Sequence, residues 1–303
     1  MSESIRLEAK SAKSKERSAE KGAEKGVRTQ KIIRNIVCIL LCIISLFPFY
    51  IMIINSTRPS AEIQQGISLL PGGEFFNNVN KLLEKAKGVG TPIWKTITNS
   101  ALIAVPATIL AVYVSSMTAY GVFVYKFKLR RFAWSFILAV MMIPAQVSII
   151  GFYQFMIKLN LNDSYIPLII PAAAAPTTVF FMRQYMKSSL PLEIVDAARI
   201  DGSGEFHTFN HIIIPLLKPA IATQAIFAFI SSWNSLFTPS IILSSQTKIT
   251  LPMFVQQLRS EQFRTDYGMI YVGLVITVIP LMIVYFALSK FIIAGVALGG
   301  VKE

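Results

Sequence analysis

The sequence predicts an all-α polytopic membrane protein, with six transmembrane helices and a helix-turn-helix loop on the cytoplasmic side. Three observations predict it. Hydrophobic residues make up 53% of the 303-residue chain and charged residues only 15%, with a mean hydropathy of +0.56, far from the balance of a soluble domain. Apolar runs long enough to cross about 30 Å of hydrocarbon recur along the chain. Lys and Arg gather in alternate short connections, as expected when insertion retains positive charge inside. The net charge of +13 follows from that distribution, with ten bases against five acids in residues 1–34, and does not call for a nucleic-acid partner.

Residues 1–30, with KSAKSKERSAEKGAEKG, have too few large apolar side chains to support a core and are expected to form a disordered basic cytoplasmic tail. Residues 31–303 are expected to form one membrane domain. Its first span, Ile36 to Ile54, starts too far along the chain for a cleaved signal peptide. Cys38 and Cys42, the two cysteines, fall within it and read as packing residues. Residues 57–93, with Pro59, Pro71-Gly72-Gly73 and Asn77-Asn78, read as an external loop with an amphipathic piece near Leu82.

The second span runs from Trp94 to Val124 and exits at Lys126 to Arg131, four bases without an acid, which places that loop in the cytoplasm. Phe132 to Ile157 is the third span, broken near Pro144. Tyr165 to Met186 is the fourth, carrying Pro167, Pro171 and Pro176. Prolines at that density free backbone carbonyls, which neighbouring helices or a wet pathway must satisfy. A fifth span from about Pro215 to Leu236, an external loop at 237–265 and a last span from Tyr267 to Ile293 complete the layout, with both termini inside.

Between the fourth and fifth spans lies the stretch 187–219, with four acids between Leu190 and Pro219. Pro191, Glu193 and Asp196 suit the first turns of a short helix, because acids complement its positive end. Asp201-Gly202-Ser203-Gly204 breaks it. Phe206, Phe209, Ile212 and Ile213 then recur at helical spacing as a sticky stripe, until Pro215 and Pro219 interrupt the pattern.

Asp196-Ala197-Ala198, three residues, Gly202, nine residues and Ile212-Ile213-Ile214-Pro215 resemble the cytoplasmic loop of permease subunits in bacterial ATP-binding cassette importers. Asp196 stands where glutamate is usual and Ile214 where leucine is usual. Ala-Arg-Ile-Asp-Gly and Leu-Leu-Lys-Pro, the Trp233-Asn234 pair, Asp266-Tyr267-Gly268 and the closing Phe291 to Lys302 are similar to the carbohydrate, maltose-permease-like branch, although Val-Ala-Leu replaces Leu-Thr-Ala in the tail. The resemblance implies the type I importer permease fold in the bacterial plasma membrane. It also implies partners: a second, similar permease chain, an ATPase dimer carrying ATP and Mg, and an external binding protein that delivers a sugar.

On that reading Glu193, Asp196, Ala197, Ala198, Asp201, Gly202, Phe206, Phe209 and Pro215 form the ATPase-coupling loop, docking through the apolar stripe, with Gly202 permitting the turn. Gln146, Gln224, Trp233 and Asn234 are candidates for the substrate path, and Ser245, Gln246 and Thr247 for binding-protein contact. The chain has no nucleotide-binding G-x-x-x-x-G-K-[ST], so no cofactor of its own is expected and it is not expected to be an enzyme. His207 and His211 lack the acid of H-E-x-x-H, so no metal is expected either. No acid lies at mid-span, which disfavours an ion-driven transporter; an importer for a peptide or compatible solute is the alternative.

Overall fold

The computed structural model describes residues 30–259 and 265–299, with side-chain surroundings for all but 145, 146 and 293–299. The expected tail at 1–29 and Lys302 of the closing motif lie outside the described residues. Every regular element among those described is helical. In order they are α1 (Gln30–Ser56), α2 (Ser60–Gln65), α3 (Phe75–Gly88), α4 (Ile93–Val124), α5 (Arg130–Met141), α6 (Ile149–Lys158), α7 (Ile166–Ile169) and α8 (Pro176–Ser189). These are followed by α9 (Leu192–Ile200), α10 (Glu205–Leu216), α11 (Lys218–Trp233), α12 (Phe237–Ile242), α13 (Leu251–Arg259) and α14 (Tyr267–Gly299).

Among the described residues, Gln30–Ser56, Ile93–Val124, Ile166–Ser189 and Tyr267–Ile292 are long and apolar enough to cross a membrane. The pair α10 and α11 adds a fifth candidate, bent by 83°. The third expected span is divided: α5 ends at Met141 and α6 begins at Ile149, with a 3-10 turn at Ala145–Ser148 between them. Pro144 explains the break, because it lacks an N–H and forces the preceding residue out of the helical region.

α4 is the axle of the bundle. Ser100, Ala104, Ala107, Ala111, Ser115 and Ala119 recur every three or four residues and are buried, which lets α8 and α11 approach its backbone closely. Apolar helices gain little from leaving lipid for one another, so close van der Waals packing of small residues has to hold them together. By contrast α1 is exposed along its whole length from Gln30 to Tyr50, and it meets the bundle only at its last turn.

Two buried clusters mark the two ends. At one end Val179, Met182, Met186, Leu190, Val195, Phe209 and Ile213 pack beneath α9 and α10. At the other, Leu82 and Ala86 of α3 join Leu251, Phe254 and Leu258 of α13 and Val272 of α14. The expected external loops are therefore partly folded into the core. Residues 57–93 contain the amphipathic helix foreseen near Leu82, whereas nothing in 237–265 had been expected to be helical.

The second end is tied by polar contacts. Asn78 is fully buried and its Nδ2 donates to the carbonyls of Ser56 and Arg58, both at 3.0 Å. Arg58, itself buried, caps the loop after α1 by donating to the carbonyls of Glu62 and Gly66. Lys81 pairs with Asp266 at 2.8 Å, joining α3 to the start of α14. Gly268 lies directly against Asn78 and leaves no space there for a Cβ.

Candidate functional site

The turn between α9 and α10 is built as the sequence demands. Gly202 takes φ +77°, a left-handed conformation that costs most other residues about 1–2 kcal/mol. Ser203 N–H then reaches back to the Ala198 carbonyl at 2.9 Å, closing the end of α9. Glu193 lies in the first turn of α9 and Asp201 at its C-terminal cap. Glu193, Asp196, Ala197, Asp201, Phe206 and Pro215 are exposed, while Ala198 is buried. Residues 208–213 form a wide π-type turn ahead of Pro215, which has no N–H to offer the ladder.

The apolar stripe does not face outward as a unit, contrary to expectation. Phe209 is 2% exposed and packs between the rings of Tyr113 and Tyr120, with centroids at 5.9 and 5.3 Å, and Ile213 is wholly buried. Two aromatic rings of α4 offer Phe209 a better environment than water, a difference of about 1.5–3 kcal/mol. Phe206 remains exposed, together with Leu192, Ile200 and Leu216, and these are the large apolar side chains that the loop turns outward.

Charge is concentrated at the base of the turn. Arg199 Nε donates to Glu205 Oε1 at 2.8 Å and the Tyr125 hydroxyl donates to Glu205 Oε2 at 2.5 Å. Arg199, then Tyr125, hold the Glu205 carboxyl below its ordinary range. Desolvation, helped by Glu205, pushes the Tyr125 hydroxyl up to about 12, so it stays a donor.

Between α4, α6, α7, α8 and α11 lies a cavity of about 950 Å³. Its polar lining is neutral and includes Ser100, Thr178, Gln224, Ser231, Ser232 and Thr250. No charged side chain is among the described residues that line it. Pro167 and Pro171 also line it, as a proline-rich span beside a wet pathway would. Thr250 is 4% exposed and its Oγ1 has no hydrogen-bond partner. Of the candidate path residues, Gln224 and Trp233 line this space, Trp233 being fixed by its Nε1 donating to the Thr277 carbonyl at 3.0 Å. Asn234 is exposed at the end of α11 and lies outside the lining. The side chain of Gln146 lies outside the described residues.

At the end away from α9, Asp163 organises the loop that holds Ser245, Gln246 and Thr247. Its carboxylate accepts from the Ser244 and Ser245 N–H groups at 3.0 Å, from Ser245 Oγ at 2.5 Å and from Lys248 Nζ at 3.0 Å. The Ser245 hydroxyl and N–H hold this carboxyl well below the usual range. Thr91 and Asn99 donate to the carbonyls of Gln246 and Thr247, so the backbone is drawn inward while both side chains stay exposed.

Residues 111–297 match the family described as binding-protein-dependent transport system inner membrane component. The chain belongs to this family. The permease is 36% identical over 262 residues to an arabinooligosaccharides transport system permease protein of Halalkalibacterium halodurans, covering 86% of this chain and 92% of that one. It is 34% identical over 266 residues to the corresponding Bacillus subtilis protein, covering 87% and 92%, and 30% identical over 259 residues to a lactose transport system permease protein of Rhizobium radiobacter, covering 86% and 92%. Its fold matches a chain of a bacterial ABC transporter that imports the acidic polysaccharide alginate, with a TM-score of 0.71 at 23% identity, covering 87% of this permease and 96% of that chain. The permease is a multi-pass membrane subunit of an ATP-binding cassette importer.

Sequence reasoning missed Thr250 and Asp163 in this permease. Thr250 carries a signal, a hydroxyl in the Thr250-Leu251-Pro252 segment within the expected external loop. Asp163 carried none, since its partners lie about 80 residues away.

Proposed function

We propose that the solute passing this permease is a neutral sugar or oligosaccharide, received from an external binding protein and moved by an ATPase dimer that carries ATP and Mg. The observation that carries this reading is the chemistry of the cavity wall, neutral hydroxyl and amide groups with an unpartnered buried hydroxyl on Thr250. Sugar hydroxyls both donate and accept, so such a wall suits them, whereas a carboxylate or phosphate taken from water needs a cation. The names of the arabinooligosaccharide and lactose relatives agree with this reading.

In this scheme α1 lies against lipid and a second permease chain, which accounts for a long apolar helix with no cover of its own. The termini and the turn between α9 and α10 lie in the cytoplasm of a bacterial cell, consistent with the four bases after α4. Leu192, Ile200 and Phe206 with Asp196 then meet the ATPase. Gln246 and Thr247 meet the binding protein on the opposite face.

Uptake by the assembled importer in vesicles tests the solute class. Neutral arabinose or galactose oligosaccharides should be transported and uronic-acid oligomers of equal length should not. Thr250→Val should slow neutral uptake about five- to tenfold, the value of a hydrogen bond, without lowering thermal stability. Equal transport of the anionic oligomers would overturn the proposal.

A further inference from the structure

Two neighbouring helices and the end of α4, 80 residues earlier, meet at one carboxylate. Tyr125 is the first residue beyond α4, Arg199 sits in the last turn of α9, and Glu205 opens α10. Each oxygen of Glu205 takes a different donor: Oε1 from Arg199 and Oε2 from Tyr125. The Arg199 guanidinium also lies over the Tyr125 ring, 5.6 Å from its centroid, and reaches Asp196 at 3.4 Å. The contact continues along α4. The Tyr125 ring packs edge-on against Tyr120, Tyr120 packs against Phe209, and the Tyr113 hydroxyl donates to Asn210 Oδ1 at 3.0 Å. Asn210 Nδ2 in turn donates to the Phe206 carbonyl at 2.8 Å.

α10 is thus stitched to α4 along its length; α9 joins that unit through the polar contacts of Arg199 and through Val195, which packs in the cluster that holds Tyr120 and Phe209. α4 carries the small residues that wall the cavity, Ala107 and Ala111 among them. Tyr125 lies 14 residues beyond Ala111, about 21 Å along the helix at 1.5 Å per residue, so a tilt imposed at Tyr125 displaces the cavity wall.

We propose that the Arg199–Glu205–Tyr125 interlock is a positioning element that transmits displacement of α9 into α4. The three residues act on the solute through α4 and touch neither solute nor nucleotide. This rests on the reading of α9 as the surface that the ATPase moves. The alternative, that the contacts only hold the turn together, predicts a different result. Loss of the interlock leaves α9 seated through Val195 and Ala198, which stay buried, but removes the polar, directional part of the linkage, so that α9 moves with less effect on α4.

The experiment uses the complete importer in vesicles, with its ATPase and binding protein, and compares Tyr125→Phe and Glu205→Gln with the unaltered complex. Both variants keep side-chain shape and remove one charge-assisted contact. ATP hydrolysed and solute moved are counted together. The expected result is ATP hydrolysis within twofold of normal, an unchanged half-saturating concentration of loaded binding protein, and about tenfold less solute moved per ATP, in line with a coupling free energy of ordinary size. The pair Arg199→Glu with Glu205→Arg should recover part of the ratio that Arg199→Glu loses alone. An unchanged ratio in both variants overturns the proposal, as does a parallel fall of hydrolysis and transport, or failure of both variants to assemble. If the unaltered complex hydrolyses ATP without moving neutral sugar, the solute reading fails instead.

Discussion

Substituting Gly268 by alanine should disturb the permease far more than the same change at Gly273, although both glycines lie in α14. A Cβ at Gly268 would fall 2.5 Å from Asn78 Nδ2 and 2.7 Å from its Cγ and Oδ1. Asn78 cannot simply yield. It is fully buried, and its Nδ2 holds the carbonyls of Ser56 and Arg58. Overpacking of this kind costs about 1–3 kcal/mol. Losing two buried hydrogen bonds adds about 1 kcal/mol each, for a total of about 3–5 kcal/mol. At Gly273 the added Cβ would meet Val255 Cγ2 at 3.3 Å and Leu258 Cδ1 at 3.5 Å, both ends of flexible side chains. There the gain of about 0.5–1 kcal/mol from placing alanine in a helix offsets the squeeze, leaving stability nearly unchanged. Thermal unfolding of the purified importer in detergent, followed by loss of the monodisperse peak, reads the difference. Gly268→Ala should unfold well below Gly273→Ala, and Asn78→Ala should narrow the gap when combined with Gly268→Ala. Coincident curves for the two alanine variants would refute the reasoning.

Three further outcomes are expected. Gly202→Ala meets no atom within 4 Å, so its cost is backbone strain alone, about 1–2 kcal/mol; transport should fall while the amount of permease in the membrane stays constant by immunoblot. Asp163→Asn keeps a residue type that tolerates φ +56° but removes the charge facing Lys248, so the half-saturating concentration of loaded binding protein should rise severalfold while maximal uptake is retained. The interlock should be insensitive to pH across the physiological range. Glu205 is depressed below 4.5, so its contribution is present above that value and lost as pH falls through the lower folded value; Tyr125 is raised from 10.0 to about 12, so its contribution is present below 10.0 and lost as pH rises toward 12. Hydrogen exchange of the α9 amides, corrected for intrinsic rates, should be flat from pH 5 to 9 and rise below 4.5.

Much of this arrangement is written locally in the chain. The long, predominantly apolar run Trp94 to Val124 matches α4 to within one residue, and the stretch around Asp201-Gly202 marks its turn because few residues besides glycine accept φ +77°. The break at Pro144 was legible for the same reason, the missing N–H. What could not be read is set by distant neighbours. Which side of the Phe206–Ile213 stripe turns inward depends on Tyr113 and Tyr120, nearly a hundred residues earlier, and periodicity carries no information about them. The 237–265 stretch looked like a loop because α12 and α13 are only six and nine residues long, too short for a strong periodic signal, yet α13 buries Leu251, Phe254 and Leu258. The Asp163 hub joins partners about 80 positions away, and a single aspartate in a turn says nothing of that.

The uncharged wall of the central cavity has an electrical consequence. Moving one elementary charge through the membrane field is worth about 2.3 kcal/mol per 100 mV, a lever that voltage can pull only where fixed charge travels through the field. On the proposed reading of a neutral passenger, and with no charged side chain among the described residues that line the cavity, the resting potential finds little to grip there. On that reading uptake by the importer should run at the same rate in energised and depolarised cells.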